Sequence, residues 1–341
     1  MIKLFKPTLK RKDMDSVLNT MVDEAVGPGE KYSEFSHIIK EYFGAESCVL
    51  MRSYVKAFET ACELLHLGKE SKVVISPLSP AWYIDILEKL QCIILFADVD
   101  QFTGCISFEA VKELLPENPS AVIMYDPFGN LPDYKMLSQI PVPIIEDITQ
   151  GFGTRKNEYK PGEISSIIIS AFEEDSVITT GGGAALILNE KKYIKPLQEL
   201  MSITGKLELM PDMNAALGIV QFKAMPGLLE RRREYLALFR SSVSKTKHKI
   251  VIESSDLIIE NGYVLPVLLD SRIREVNKFT RRYKIETINP FEHCAVNRIE
   301  VDQNLYPNSI PFRLRTLFFP LYPLLSKDQL KTLVKVLSTL P

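Results

Sequence analysis

Histidine and cysteine are scarce in this chain, with four and five among 341 residues. The cysteines, Cys48, Cys62, Cys92, Cys105 and Cys294, are odd in number and widely scattered. No pair has metal-ligand spacing, so no metal site is expected and a reduced, cytoplasmic setting is. Neither sign of charge is in excess. With 41 basic against 43 acidic residues, the formal net charge is -2, which gives no reason to expect nucleic acid or an anionic membrane as partner. No apolar run is long enough to span a bilayer, and the opening MIKLFKPTLKRKDMD holds no apolar segment of the kind a secretory signal needs. There is no internal repeat and no low-complexity linker. The glycine run at 181–183 is followed by no lysine, which removes a phosphate-loop nucleotide hydrolase from consideration.

What is present is the composition of an ordinary globular protein, 46% hydrophobic and 25% charged. Seven short apolar runs read as strands: 47–51, 72–76, 92–100, 121–126, 142–148, 165–172 and 184–189. Most are unbroken β-branched stretches rather than alternating ones, so both faces should be covered, as in a largely parallel sheet. Helical stretches at 57–68, 81–90 and 107–115 lie between them, and Ser107 is the expected N-cap of the third. Its capping box is incomplete, because Ala110 stands where Glu or Gln belongs. The class is α/β. From Asp212 apolar residues recur three and four apart through 243, with Pro226 expected to kink or restart the helix. The cluster Arg231, Arg232 and Arg233 is expected on its solvated face. Beyond it, KIVIES, YVLPVLLD and SKDQLKTLVKVLSTL describe a small α+β domain. The expected division is 1–240 and 241–341.

Several ordered strings carry a family resemblance. They are IKLFKPTLKRKDMDSVL at the start, FADVDQFTGCIS, YDPFGNLPDYKML, PIIEDITQGFG, ITTGGGAALI, the helix following MPDMNAALG, and LFFPLYPLLSKDQL near the end. In this order they resemble the DegT-type (DegT/StrS) sugar aminotransferases, fold-type-I enzymes that use pyridoxal phosphate (PLP) on nucleotide-linked keto sugars. The resemblance covers nearly the whole chain. It implies a mostly parallel central sheet flanked by helices, a smaller C-terminal α+β domain, and sites built between two subunits.

Residue by residue, the implied site is only partly kept. Asp147 matches the aspartate that pairs with the cofactor's protonated ring nitrogen, and Gln150 matches the glutamine near the ring oxygen. As bare residues they are also ordinary for a polar strand end. The ED-xx-Q context favours the inherited position. The phosphate cradle is replaced by Arg52-Ser53-Tyr54-Val55. Tyr54 stands at the glycine position and Val55 at the hydroxyl position, leaving Ser53 alone of the motif. Lys56 and Arg52 leave this helix end attractive to an anion. The stacking aromatic position falls on Ala81, with Trp82 one residue along as a packing residue. Leu207 and Leu209 replace the polar pair expected from a partner subunit.

The Schiff-base lysine is the sharpest departure. Counting back from Thr179 gives Ser176, and counting forward from Ser170 gives Asp175. Neither carries an amine, so neither forms the covalent link or moves the α-proton as a lysine does. Related dehydratases place histidine there. Here His37, His66, His248 and His293 all lie outside the loop. The expectation is a catalytically degenerate, homodimeric relative linked to sugar-nucleotide or cell-surface polysaccharide metabolism. Its site would be vestigial (Asp147, Gln150, Ser53, Ser170), with no cofactor. The alternatives are noncovalent PLP or pyridoxamine phosphate (PMP) acting on a nucleotide sugar, and a heterodimer with an active paralogue.

Overall fold

The structure is a computed structural model that describes residues 1–23 and 26–341. Its centre is a seven-stranded sheet made of β1 (Ser47–Met51), β2 (Lys72–Ile75), β3 (Ile93–Phe96), β4 (Ala121–Tyr125), β5 (Ile144–Asp147), β6 (Ile167–Ala171) and β7 (Ala184–Leu188). In space the order is β1-β7-β6-β5-β4-β2-β3. Only β7 runs against the others, pairing antiparallel with both β1 and β6. Each predicted apolar run became a strand. The central ones, β5, β6 and β7, are buried along their whole length. Covered faces explain why these runs do not alternate.

The parallel strands end side by side, and that common edge positions the site. Register places Tyr125 beside Asp147 at the ends of β4 and β5, and Asp147 beside Ile169 of β6. Ligands of open α/β sheets bind outside such carboxyl ends. The helix Tyr54–Leu64 follows β1, and its N-cap Ser53 accepts a hydrogen bond from the Lys56 amide at 3.2 Å. Ser107 caps its helix as expected, through the Ala110 amide.

A three-stranded antiparallel sheet of β8 (Lys249–Ile250), β9 (Leu265–Leu268) and β10 (Thr316–Phe319) lies in the C-terminal third. The closing helix Lys327–Leu337 carries a complete capping box between Ser326 and Gln329. The helix Asp212–Val243 runs unbroken for 32 residues, so Pro226 does not restart it. Its first residue caps another helix, Glu30–Phe43. The buried Asp212 carboxylate accepts the amides of Gly29, Tyr32 and Lys31 at 2.7, 2.8 and 3.1 Å. That places a negative charge on a helix N-terminus, where donors have no intrahelical partner.

The arginine cluster departs from expectation at one position. Arg232 is buried, and its Nη1 donates to the carbonyls of Gly262, Tyr263 and Leu321 at 3.0, 2.9 and 2.9 Å. Burial pulls its pKa down to about 10. A guanidinium suits this position because it spreads its charge over several donors and is weakly hydrated. Arg232 is a clamp between the long helix and two distant loops, not part of a solvated face.

Candidate functional site

Asp147 is fully buried at the end of β5, and both its oxygens are engaged. Oδ1 accepts the side chain of Thr149 at 2.6 Å and the Thr149 amide at 3.0 Å. Oδ2 accepts the phenols of both Tyr54 and Tyr83. Burial raises the Asp147 pKa, and the bonds from Thr149, Tyr54 and Tyr83 act in the opposite direction. Burial and the neighbouring carboxylate hold both phenols well above the usual tyrosine range, so they remain donors.

The two tyrosines arrive by different routes. Tyr83 lies in the helix Trp82–Lys89, is fully buried, and stacks on Phe58 with ring centroids 4.4 Å apart. Tyr54 is the first residue of its helix and only half-buried. Its ring meets Trp82 edge-on at 4.9 Å. Trp82 also touches Phe58 at 5.1 Å and Tyr83 at 4.6 Å, which makes it a packing residue as expected. Tyr83 went unnoticed in the sequence; its only signal was its place beside Trp82 at a helix start.

The other candidates are largely spent on local structure. Ser53 holds its helix cap. Gln150 Oε1 accepts the amide of Phe128 at 2.8 Å, which supports a loop where Phe128 takes φ +66°. Lys56 is turned toward Glu59 and Glu63, 3.6 Å from each, so its charge is answered within its own helix. Ser170 is the exception: it is buried, and its hydroxyl has no hydrogen-bond partner among the described residues. His293 is exposed, and its backbone carbonyl accepts the Ala81 amide at 3.1 Å, one residue before Trp82.

The loop 173–183 holds both candidate lysine positions. Ser176 is buried and turns its hydroxyl back onto the Ala171 carbonyl at 3.1 Å. Asp175 accepts the phenol of Tyr263 at 3.2 Å, and burial raises its pKa. The threonines close the loop: the Thr179 hydroxyl donates to the Phe172 carbonyl at 3.2 Å and receives the Gly181 amide at 3.0 Å. Gly183 has φ +102°, and a Cβ there would lie 2.7 Å from the Met51 carbonyl oxygen. The glycine run lets β7 start against β1.

A pair of buried carboxyl groups, Glu146 and Asp126, lies beside Asp147. Glu146 accepts the Gly162 amide at 2.9 Å and the hydroxyls of Tyr134 and Ser165. Asp126 is fully buried, and neither of its oxygens has a hydrogen-bond partner among the described residues. Burial, then the charges of Glu146 and Asp147, push its pKa well above the usual carboxyl range.

With this geometry in hand, comparison with known proteins places the chain. Residues 7–338 match the model of the DegT/DnrJ/EryC1/StrS aminotransferase family. A UDP-4-amino-4,6-dideoxy-N-acetyl-beta-L-altrosamine transaminase of Campylobacter jejuni is 25% identical over 290 residues, covering 79% of this chain and 77% of the relative. Among solved structures, the aminotransferase TlmJ of Streptoalloteichus hindustanus superposes with a TM-score of 0.92 at 19% identity, covering 99% and 98% of the two chains. A Streptococcus pneumoniae protein described as a sugar aminotransferase gives 0.89 in its PMP form, at 17% identity and covering 98% and 96%. It is also solved in a PLP form. Fold-type-I architecture is thereby established.

The expectation of no cofactor is corrected by the same findings. The family is PLP-dependent, and a structural neighbour is solved with both PLP and PMP. The residues here do not fit that group as they are arranged. Asp147 would have to meet a ring nitrogen with an oxygen already shared by two phenols, and the stretch 161–190 contains no lysine. Among the described residues, the Ser170 hydroxyl and the Asp126 carboxyl oxygens are buried without a partner, which a further group could supply. In fold and sequence alike, the chain is a member of the DegT/DnrJ/EryC1/StrS aminotransferase family.

Proposed function

We propose that this member does not transaminate by a lysine route and acts in sugar-nucleotide or cell-surface polysaccharide metabolism as a dimeric, nucleotide-sugar-binding relative of the aminotransferases. One observation carries the reading. Both positions where the family's lysine is counted hold residues tied to the protein itself, Ser176 to the Ala171 carbonyl and Asp175 to the Tyr263 phenol. Neither offers an amine.

A second reading rests on different residues. Asp147 is retained, and Ser170 is buried without a partner among the described residues, which favours PLP or PMP held noncovalently on a nucleotide-linked keto sugar. Borohydride reduction after incubation with PLP, followed by peptide mass spectrometry and an amino-transfer assay on such a sugar, tests both. The expected result is no pyridoxyl label within 161–190 and no transfer. Stoichiometric label at a single lysine, Lys56 for example, together with amino transfer, overturns the lysine-free reading.

Homodimer assembly is part of the proposal. The helix Arg11–Val22 exposes Met14, Leu18, Met21 and Val22, four apolar residues spaced along one face, and Ile203 and Leu207 are exposed at 83% and 80%. Apolar surface of this kind favours a partner. Light scattering at micromolar concentration should give twice the chain mass. A monomer would count against it and favour a different, paralogous partner.

A further inference from the structure

We infer that a groove between the N-terminal segment, the middle of the long helix Asp212–Val243 and the loop after β10 binds a phosphate monoester carrying an apolar group, at a site separate from the sheet edge. The inference does not rest on the reading above.

The groove has a volume of about 470 Å³, within the range of small-ligand sites. Cations come from two of its walls. Lys10 and Lys12 stand at the start of the helix Arg11–Val22, and Arg231 on the long helix. All three are exposed, and none is ion-paired among the described residues. Glu230 and Glu234 also line the groove, so three cations against two carboxylates leave an excess of one. A guanidinium across from two ammonium groups suits phosphate, because its planar fork grips two oxygens while the lysines add charge.

Two further features point to a ligand. Thr8 is 6% exposed and lines the groove, yet its hydroxyl has no hydrogen-bond partner among the described residues. The backbone around it is fixed. Gln221 Nε2 donates to the Thr8 carbonyl and to Asp13 Oδ2, each at 2.9 Å, and the Lys10 amide donates to the same Asp13 oxygen at 2.8 Å. The hydroxyl is therefore held in place with its bonding capacity unspent, a cost that a phosphate oxygen removes. The second feature is Gly227, in the interior of the 32-residue helix, where glycine is worse than alanine by roughly 1 kcal/mol. A Cβ there would meet nothing within 4 Å, so no packing inside the chain calls for a glycine. Its bare backbone lets a ligand lie close. Ala224, Leu228, Pro323 and Leu324 complete the lining and form an apolar stretch for the ester group.

Phenyl phosphate and inorganic phosphate are the probes, titrated calorimetrically into the full chain and three variants that circular dichroism has shown to be folded. Wild type should bind phenyl phosphate about fivefold tighter than inorganic phosphate, through the apolar area its ring buries. Arg231→Ala should weaken phenyl phosphate about tenfold, the loss of a charge-assisted bond. Gly227→Leu puts a side chain into the open groove and removes a helix-interior glycine, so it should abolish binding while raising Tm. Arg52→Ala removes the same charge at the sheet edge and should leave binding within about twofold, since screening weakens distant charges. Binding lost in Arg52→Ala but kept in Arg231→Ala puts the phosphate at the sheet edge and overturns the groove, and equal losses in both reduce it to general attraction and overturn it too. Unchanged binding in Gly227→Leu, equal affinity for the two anions, or no binding by wild type also overturns it. Should Gly227→Leu fail to fold, the comparison of Arg231→Ala with Arg52→Ala decides alone.

Discussion

The phenol of Tyr54 donates to Oδ2 of Asp147, the same oxygen that receives the phenol of Tyr83. A carboxylate at the centre of a sheet edge is tolerable only when it is well supplied with donors. Thr149 supplies the other oxygen twice. Replacing Asp147 by asparagine removes the charge and turns one acceptor into a donor that faces either the phenols or Thr149. Asp147→Asn should lose about 2–3 kcal/mol of unfolding free energy in urea titrations, and Tyr54→Phe only about 1 kcal/mol, since Tyr83 remains.

Restoring an amine should not restore amino transfer. Ser176→Lys and Asp175→Lys cover both ways of counting the loop. In each, Tyr54 still covers Asp147, and a nucleophile without a correctly placed reaction partner gains little rate. Neither variant should yield a reducible pyridoxyl adduct or transfer an amino group to a nucleotide-linked keto sugar. Transfer by either single variant would show that the pocket is intact and only disarmed.

Asp126 makes stability depend on pH in a stated direction. Its folded pKa is raised, by burial first and then by Glu146 and Asp147. Below the unfolded aspartate value of about 3.9 both states hold the proton, and above it the unfolded chain releases it first. Between that value and the raised folded pKa the folded chain binds more protons, so stability falls as pH rises. The slope is at most ~1.4 kcal/mol per pH unit. Asp126→Asn removes this contribution. Compared with wild type by urea unfolding across pH 4 to 7, the variant should gain steadily as pH rises. A difference independent of pH would mean that Asp126 ionises normally.

Arg232 and its neighbour Arg231 should behave oppositely. Arg232→Ala leaves three buried carbonyls without their shared donor, and should lose about 3–4 kcal/mol. Arg231→Ala, on the outer side of the same helix, should stay within about 0.5 kcal/mol of wild type. Equal losses would return the cluster to a plain solvated face.

Local pattern made the sheet legible. β5 and β6 read as strands because residues 144–145 and 167–169 are unbroken isoleucine, and burial on both faces is what such a run requires. Asp147 was legible as well, from its place at a strand end in a motif. Tyr54 was visible as a misfit in the phosphate cradle, yet its bond to a carboxylate 93 residues away was not. Asp212 capping a helix that begins 182 residues earlier, and Arg232 reaching Leu321, 89 residues onward, were hidden for the same reason. Periodicity reports which face of an element is covered, and says nothing of which distant polar group will find it.

Arg232 also sets how forces pass through the molecule. Its guanidinium grips the Tyr263 carbonyl, and the same tyrosine's phenol holds Asp175. One residue thus forms a strut from the long helix to the loop where an amine would otherwise stand. Sliding the segment around Tyr263 past the central sheet would drag that loop with it, so the two behave as one mechanical unit. Hydrogen exchange at the amides of 173–176 should therefore quicken in Arg232→Ala, although the substituted residue touches none of them.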